Sequence, residues 1–122
     1  MKMELTKAEE QVMQILWKRE KAFVKEIIAE LDEPKPAYNT ISTIVRILQE
    51  KGFVDYTAFG KSHQYFPTID QKEYTDHQIS KITDNYFQGS FSNLVSFFVK
   101  KKDIDVSEVE ELLKKLKEVR DE

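Results

Sequence analysis

Residues 36–52, PAYNTISTIVRILQEKG, limit the possible folds of this chain more sharply than any other stretch. Ile41, Ile44, Val45 and Leu48 fall at i, i+3, i+4 and i+7, the spacing that buries one stripe of a helix. Gly52 suits the position just past the helix end, because glycine enters the left-handed region without strain. A helix is therefore predicted over about 38–51. Its opposite stripe is unusual. In a chain that is 34% charged, a solvated face should carry Lys and Glu. This one carries Asn39, Ser42, Thr43 and Arg46, at the same helical spacing. Short hydrogen-bonding groups with a single charge suit a face that gives up its water to a polar partner, since little charge must be desolvated.

The flanking pattern gives this helix a setting. Thr6 and Glu9 form a capping box at the start of a first helix, with Val12, Ile15, Leu16 and Ala8 on its apolar face. A short second helix buries Val24, Ile27, Ile28 and Leu31, and the prolines of DEPKP stop it. Asn39 or Thr40 is a candidate cap for the third helix. After Gly52, FVDYTAFGKSHQYFP reads as two strands about a Gly60-Lys61 turn. Three helices followed by a hairpin is the order of a winged helix-turn-helix, predicted over 1–69. Residues 70–122 read as helix throughout. Asp70 with Glu73 opens a helix to about Gln88, and Gly89 interrupts it. Phe91, Leu94, Val95, Phe98 and Val99 mark a second helix. Ser107 with Glu110 opens a third, striped by Val109, Leu112, Leu113 and Leu116. The fold class expected is mostly α (α+β). A winged helix with a small hairpin precedes a three-helix domain.

That second segment carries more aromatic surface than three short helices can hide from water. Either it packs onto the first domain, or it completes its core with a second copy of the chain. The dimerisation reading assigns the interface to Tyr86, Phe87, Phe91, Leu94, Val95, Phe98, Leu112, Leu113 and Leu116. Domain rotation about the Asp70 region would then set the spacing of two DNA half-sites.

Composition narrows the chemistry. The absence of cysteine excludes disulfides, thiolate metal sites and a cysteine nucleophile. No long apolar run or signal peptide is present, so a cytoplasmic location is expected. There is no glycine-rich phosphate loop and no nucleophile elbow. Glu73 and His77 share a helix face, but two ligands without a third do not make a metal centre. No enzyme activity, metal, cofactor or small-molecule ligand is expected. The net charge of −3 does not advertise nucleic-acid binding. Locally the balance reverses: from Lys35 to Phe66 four cations (Lys35, Arg46, Lys51, Lys61) face two anions (Glu50, Asp55), a local sum of +2.

A helix placed in the major groove reads base edges with side chains near its N-terminus. Asn suits adenine, Arg suits guanine, and Ser or Thr hydroxyls serve either. Asn39, Ser42, Thr43 and Arg46 are the candidate base readers. Tyr38 and Thr40, at the helix start, are candidates for phosphate, as are Thr6 and Lys7 at the first helix. Lys61, Ser62 and His63 are candidates on the wing. So few charges should bind weakly as one module and usefully as two, a second reason to expect a dimer.

These residues also carry a family likeness. LTKAEEQVMQILW, NTISTIVRILQEKGFV, GKSHQYFP and YFQGSFSNLVSFFVKKKDIDVSEVEELLKKL resemble successive motifs of the penicillinase-repressor family, the BlaI/MecI/CopY transcriptional repressors. The likeness spans essentially the whole chain. It implies a homodimeric repressor on a pseudo-palindromic operator, relieved by a membrane sensor metallopeptidase of the BlaR/MecR type that triggers proteolysis in the C-terminal half. Three positions depart from the family pattern. Arg46 stands one place before the usual arginine. The cysteine motif of the copper-responsive branch is missing. Phe97-Phe98 occupies the position of the Asn-Phe cleavage pair. The alternative reading is a winged helix whose polar stripe binds another protein rather than DNA.

Overall fold

The computed structural model describes residues 3–102 and 105–121. The side chains of Lys102, Val106 and residues 116–121, and with them the predicted interface position Leu116, lie outside the described residues. The elements run α1 (Lys7–Arg19), β1 (Ala22–Phe23), α2 (Val24–Ala29), α3 (Tyr38–Glu50), β2 (Val54–Phe59), β3 (Ser62–Pro67), α4 (Gln71–Tyr86), α5 (Phe91–Lys102) and α6 (Val106–Asp121). They form two compact units, Met1–His77 and Gln78–Glu122.

The first unit packs α1, α2 and α3 against a three-stranded antiparallel sheet of order β1-β3-β2. The wing hairpin pairs Tyr56 with Tyr65 and Thr57 with Gln64. β1 was not legible in the sequence, because two residues carry no period. It adds Ala22 opposite Tyr65 and Phe23 opposite Gln64, which brings the start of α2 to the wing. The core is built from the predicted stripes: Val12 and Leu16 from α1, Ile27 from α2, and Ile41, Val45 and Leu48 from α3, closed by Phe53. Met13 joins them at 0% exposure, while Ala8, expected on the apolar face, is exposed. Leu31 lies past the end of α2 and is only half-buried.

Caps decide several boundaries. The Thr6–Glu9 box forms as expected, with Glu9 N–H on Thr6 Oγ1 (3.2 Å) and Thr6 N–H on Glu9 Oε1 (2.9 Å). At α3 the cap position is Ala37, so neither Asn39 nor Thr40 caps that helix. Asp70 caps α4, accepting from Glu73 N–H at 2.7 Å, and the helix stops at Tyr86 rather than Gln88. α6 begins at Val106 with Asp105 accepting from Ser107 N–H (3.3 Å), so Ser107 lies inside the helix and does not cap it. An aspartate two residues upstream outcompetes the serine, because its carboxylate is the stronger acceptor for a helix N-terminus.

The first unit extends past the sequence-derived boundary at 69/70. Ile69 and Tyr74 belong to its core, at 4% and 6% exposure, so the opening turns of α4 are part of it. In the second unit Leu94 and Thr83 are buried, and Phe87, Phe97 and Phe98 pack in series at 5.5 and 5.9 Å between ring centres.

One ion pair ties the ends of α1 and α3 together. Lys51 Nζ donates to Glu9 Oε1 at 2.6 Å and to the Glu4 carbonyl at 3.2 Å. Burial alone raises the Glu9 carboxyl's pKa, but Lys51 and the two Thr6 hydrogen bonds outweigh it and hold it below its ordinary value. A lowered folded-state pKa means stability that is complete above the ordinary value of 4.5 and lost as pH falls through the folded-state value. Lys51→Met strands a nearly buried carboxylate. Because the Lys51 side chain is 32% exposed, the expected cost is about 2 kcal/mol, below the range for fully buried pairs. Denaturant unfolding at neutral pH measures it, and the gap between variant and wild type should close as pH drops below 4.5.

Candidate nucleic-acid interface

The exposed side of α3 is the face the sequence marked out. Tyr38, Asn39, Thr40, Thr43 and Arg46 are exposed and Ser42 is half-buried. No side chain caps the N-terminus of α3, unlike that of α1, which leaves that end open to an anion. The stripe is partly wired internally. The Thr43 hydroxyl donates to the Asn39 carbonyl at 2.8 Å, so toward a ligand it can accept but not donate in this rotamer. Arg46 Nε donates to the Ser42 carbonyl at 3.4 Å, a bond that holds the stem along the helix and leaves the two terminal nitrogens as a fork.

The wing stands beside this face. His63 stacks on Tyr56 with ring centres 4.0 Å apart and planes 8° from parallel. The predicted backbone ligand His63 therefore has one ring face covered, and it presents an edge rather than a free side chain. Tyr65 is buried beneath the pair. Burial pushes its hydroxyl above the ordinary range and the nearby Tyr38 and Tyr56 add to this, while the Arg46 charge opposes it. Arg46 and the wing base thus share one electrostatic environment. Lys61 and Ser62, at the wing tip, are exposed.

Not all the cations of the local +2 balance reach this face. Lys51 is spent on Glu9, and Lys35 closes the end of α2 by donating to the Ala29 and Leu31 carbonyls. Arg46 and Lys61 are the two that remain, with Lys7 exposed at the start of α1. The structure adds a position that sequence reasoning missed. An open groove of about 400 Å³ separates the start of α2 from the wing, and Lys25 lines it together with Phe23, Tyr38, Phe59, Ser62 and His63. Phe59, 55% exposed, meets Phe23 edge-on at 5.8 Å. The β1–β3 pairing holds the start of α2 beside the wing, and that pairing leaves no mark in the sequence.

The second unit offers a different surface. Val95, Phe98, Val99, Val109 and Leu112 line an apolar groove of about 500 Å³ between α5 and α6, bordered by Glu108, Glu111 and Lys115. Tyr86, Phe91, Phe98, Leu112 and Leu113 of the predicted interface are exposed, Phe87 and Val95 are half-buried, and Leu94 is buried within the unit itself. Glu73 and His77 acquire no third ligand: among the described residues no group of three His, Cys, Asp or Glu could hold a metal ion. Nor is any described helix long and apolar enough to cross a membrane.

A helix with an exposed polar stripe, supported by two further helices and flanked by a hairpin, defines a winged-helix DNA-binding protein. The chain belongs to the penicillinase repressor family, whose model matches residues 5–118. That family consists of transcriptional repressors, not enzymes. The methicillin resistance regulatory protein MecI of Staphylococcus aureus (strain N315) is 32% identical over 110 residues, 89% of each chain. The penicillinase repressor of Bacillus licheniformis is 26% identical over 116 residues, 94% of this chain and 91% of that one. Among solved structures, the DNA-binding domain of the repressor BlaI aligns with a TM-score of 0.51 and 30% identity, over 58% of this chain and 88% of that one.

The division of labour on this face is testable. Arg46→Ala should cost about 1–3 kcal/mol on the preferred duplex and little on random DNA. Lys61→Ala should weaken both alike and reduce the slope of log affinity against log salt by about 1. Equal losses on both duplexes for both variants would contradict it.

Proposed function

We propose that this protein is a homodimeric transcriptional repressor that lays α3 in the major groove of a two-fold-symmetric operator. The observation that carries the reading is the polar stripe of exposed Asn39, Thr43 and Arg46 with half-buried Ser42 beside the wing, in a unit that resembles the BlaI DNA-binding domain. Asn39, Ser42, Thr43 and Arg46 read base edges. Thr6, Lys7, Tyr38, Thr40, Lys61, Ser62 and His63 set the protein on the backbone, and Lys25 joins them. With so few cations at the face, one module neutralises few phosphates and binds weakly. Two linked modules convert the second contact into an intramolecular one.

The second unit supplies the link. Its α5–α6 groove is apolar, open and rimmed by charge, which suits a second copy of the same helices. Repression in the cytoplasm is then lifted by mass action. Following the family resemblance, a BlaR/MecR-like membrane sensor metallopeptidase triggers cleavage at Phe97-Phe98, and each freed module keeps half the contacts. That bond lies inside α5, so the helix must open locally before a protease can bind it in extended form.

Phe98 and Leu112 are 46% and 57% exposed in one chain, so a charge at either position has little folding energy to remove. Phe98→Asp and Leu112→Asp should leave thermal unfolding of the first unit unchanged, convert the protein to monomer in sedimentation velocity, and weaken operator binding roughly 100-fold or more. Monomers that bind as tightly as the wild type would overturn the mechanism. Steep weakening with salt should accompany binding throughout, as a protein-binding winged helix need not show.

A further inference from the structure

The route from the wing into α4 is locked at every step. Thr68 donates its N–H to the Phe53 carbonyl (2.8 Å) and its hydroxyl to the Gly52 carbonyl (2.7 Å). Trp17 Nε1 donates to the Ile69 carbonyl at 2.8 Å. One turn into α4, the Tyr74 ring sits between Trp17 (5.6 Å between centres) and Phe53 (5.9 Å, edge-on), and its hydroxyl donates to Glu10 Oε2 at 3.0 Å. This ring is 6% exposed. Burial and the Glu10 carboxylate push its pKa up to about 12, so the donor proton stays in place at any physiological pH. The expected pivot at Asp70 is therefore flanked by anchored residues on both sides.

We propose that Tyr74, anchored by Glu10 and Trp17, is a positioning residue that fixes how α4 leaves the DNA-reading unit and so which half-site spacing the dimer accepts. The proposal rests on the dimeric-repressor reading above. Ring packing resists displacement of the helix, while the hydroxyl–carboxylate bond fixes its rotation, because a hydrogen bond is directional and a hydrophobic contact is not. Tyr74→Phe keeps the ring and removes only the directional part. Glu10→Ala removes the same bond from the other side, and Glu10→Gln retains an acceptor.

The test uses the full chain and a symmetric duplex that the wild type selects from a randomised library. Affinity is measured on that duplex, on the same duplex with one base pair inserted between half-sites, and on a version with one half-site scrambled. The wild type should lose roughly tenfold or more on the inserted duplex, whose geometry hinders simultaneous engagement. Tyr74→Phe and Glu10→Ala should lose about threefold or less, and Glu10→Gln should keep the wild-type penalty. All should match the wild type on the single half-site, which a general loss of structure would not allow. A wild type indifferent to spacing overturns the proposal, as do Tyr74→Phe and Glu10→Ala variants that keep the full penalty while the repressor reading stands. If the library yields no enriched duplex, the repressor reading fails first and this proposal with it.

Discussion

The carboxylate of Glu9 sits nearly out of water where α1 begins, and it stays charged because a backbone N–H and an ammonium group both donate to it. It accepts from the Thr6 backbone, which fixes the first turn of α1, and from Lys51, which ends α3. A buried charge without these partners would be costly. This pair adds a polar tie between two helices whose apolar stripes already share one core. Thr6 and Lys7 lie at one side of it and the C-terminal end of α3 at the other. The pairing also removes Lys51 from the pool of cations that a count of charges would assign to phosphate.

What remains on the face is economical. Arg46 and Lys61 carry charge on α3 and the wing, with Lys7 and Lys25 at the margins, and the other groups are hydroxyls, an amide, a tyrosine and an imidazole. Neutral hydrogen-bonding groups are cheaper to dehydrate than ions, so such a face gives up raw affinity and keeps discrimination. The dimer proposed above would restore affinity through avidity. The apolar groove of the second unit, built by Phe98, Val99, Val109 and Leu112, is suited to that task. In the proposed assembly, sparse charge in one unit is offset by avidity gained through the apolar surface of the other.

The anchoring of α4 through Trp17, Ile69 and Tyr74 changes where freedom can reside in the chain. The Asp70 region, where the sequence suggests domain rotation, is bounded by contacts that make the start of α4 an extension of the first unit. Burial of Tyr74 carries the core of the first unit one turn into α4.

Local rules were enough for much of this. The periodic stripes of α1 and α3, the Thr6–Glu9 box, the Gly52 exit and the Gly60-Lys61 turn depend on neighbours within a few residues, so the sequence itself determined them. The polar stripe was legible for the same reason, since helical spacing alone places Asn39, Thr43 and Arg46 on one side. Tertiary structure decided what depends on residues far apart in the chain. The β1–β3 pairing put Lys25 at the groove, the Glu9–Lys51 pair joined positions 42 residues apart, and the Tyr74–Glu10 bond joined positions 64 apart. Competition between caps was also beyond local reading, as Ala37 in place of Asn39 and Asp105 in place of Ser107 show. A single side chain advertises what it can bond to; which partner it meets is settled only when the chain has closed its loops.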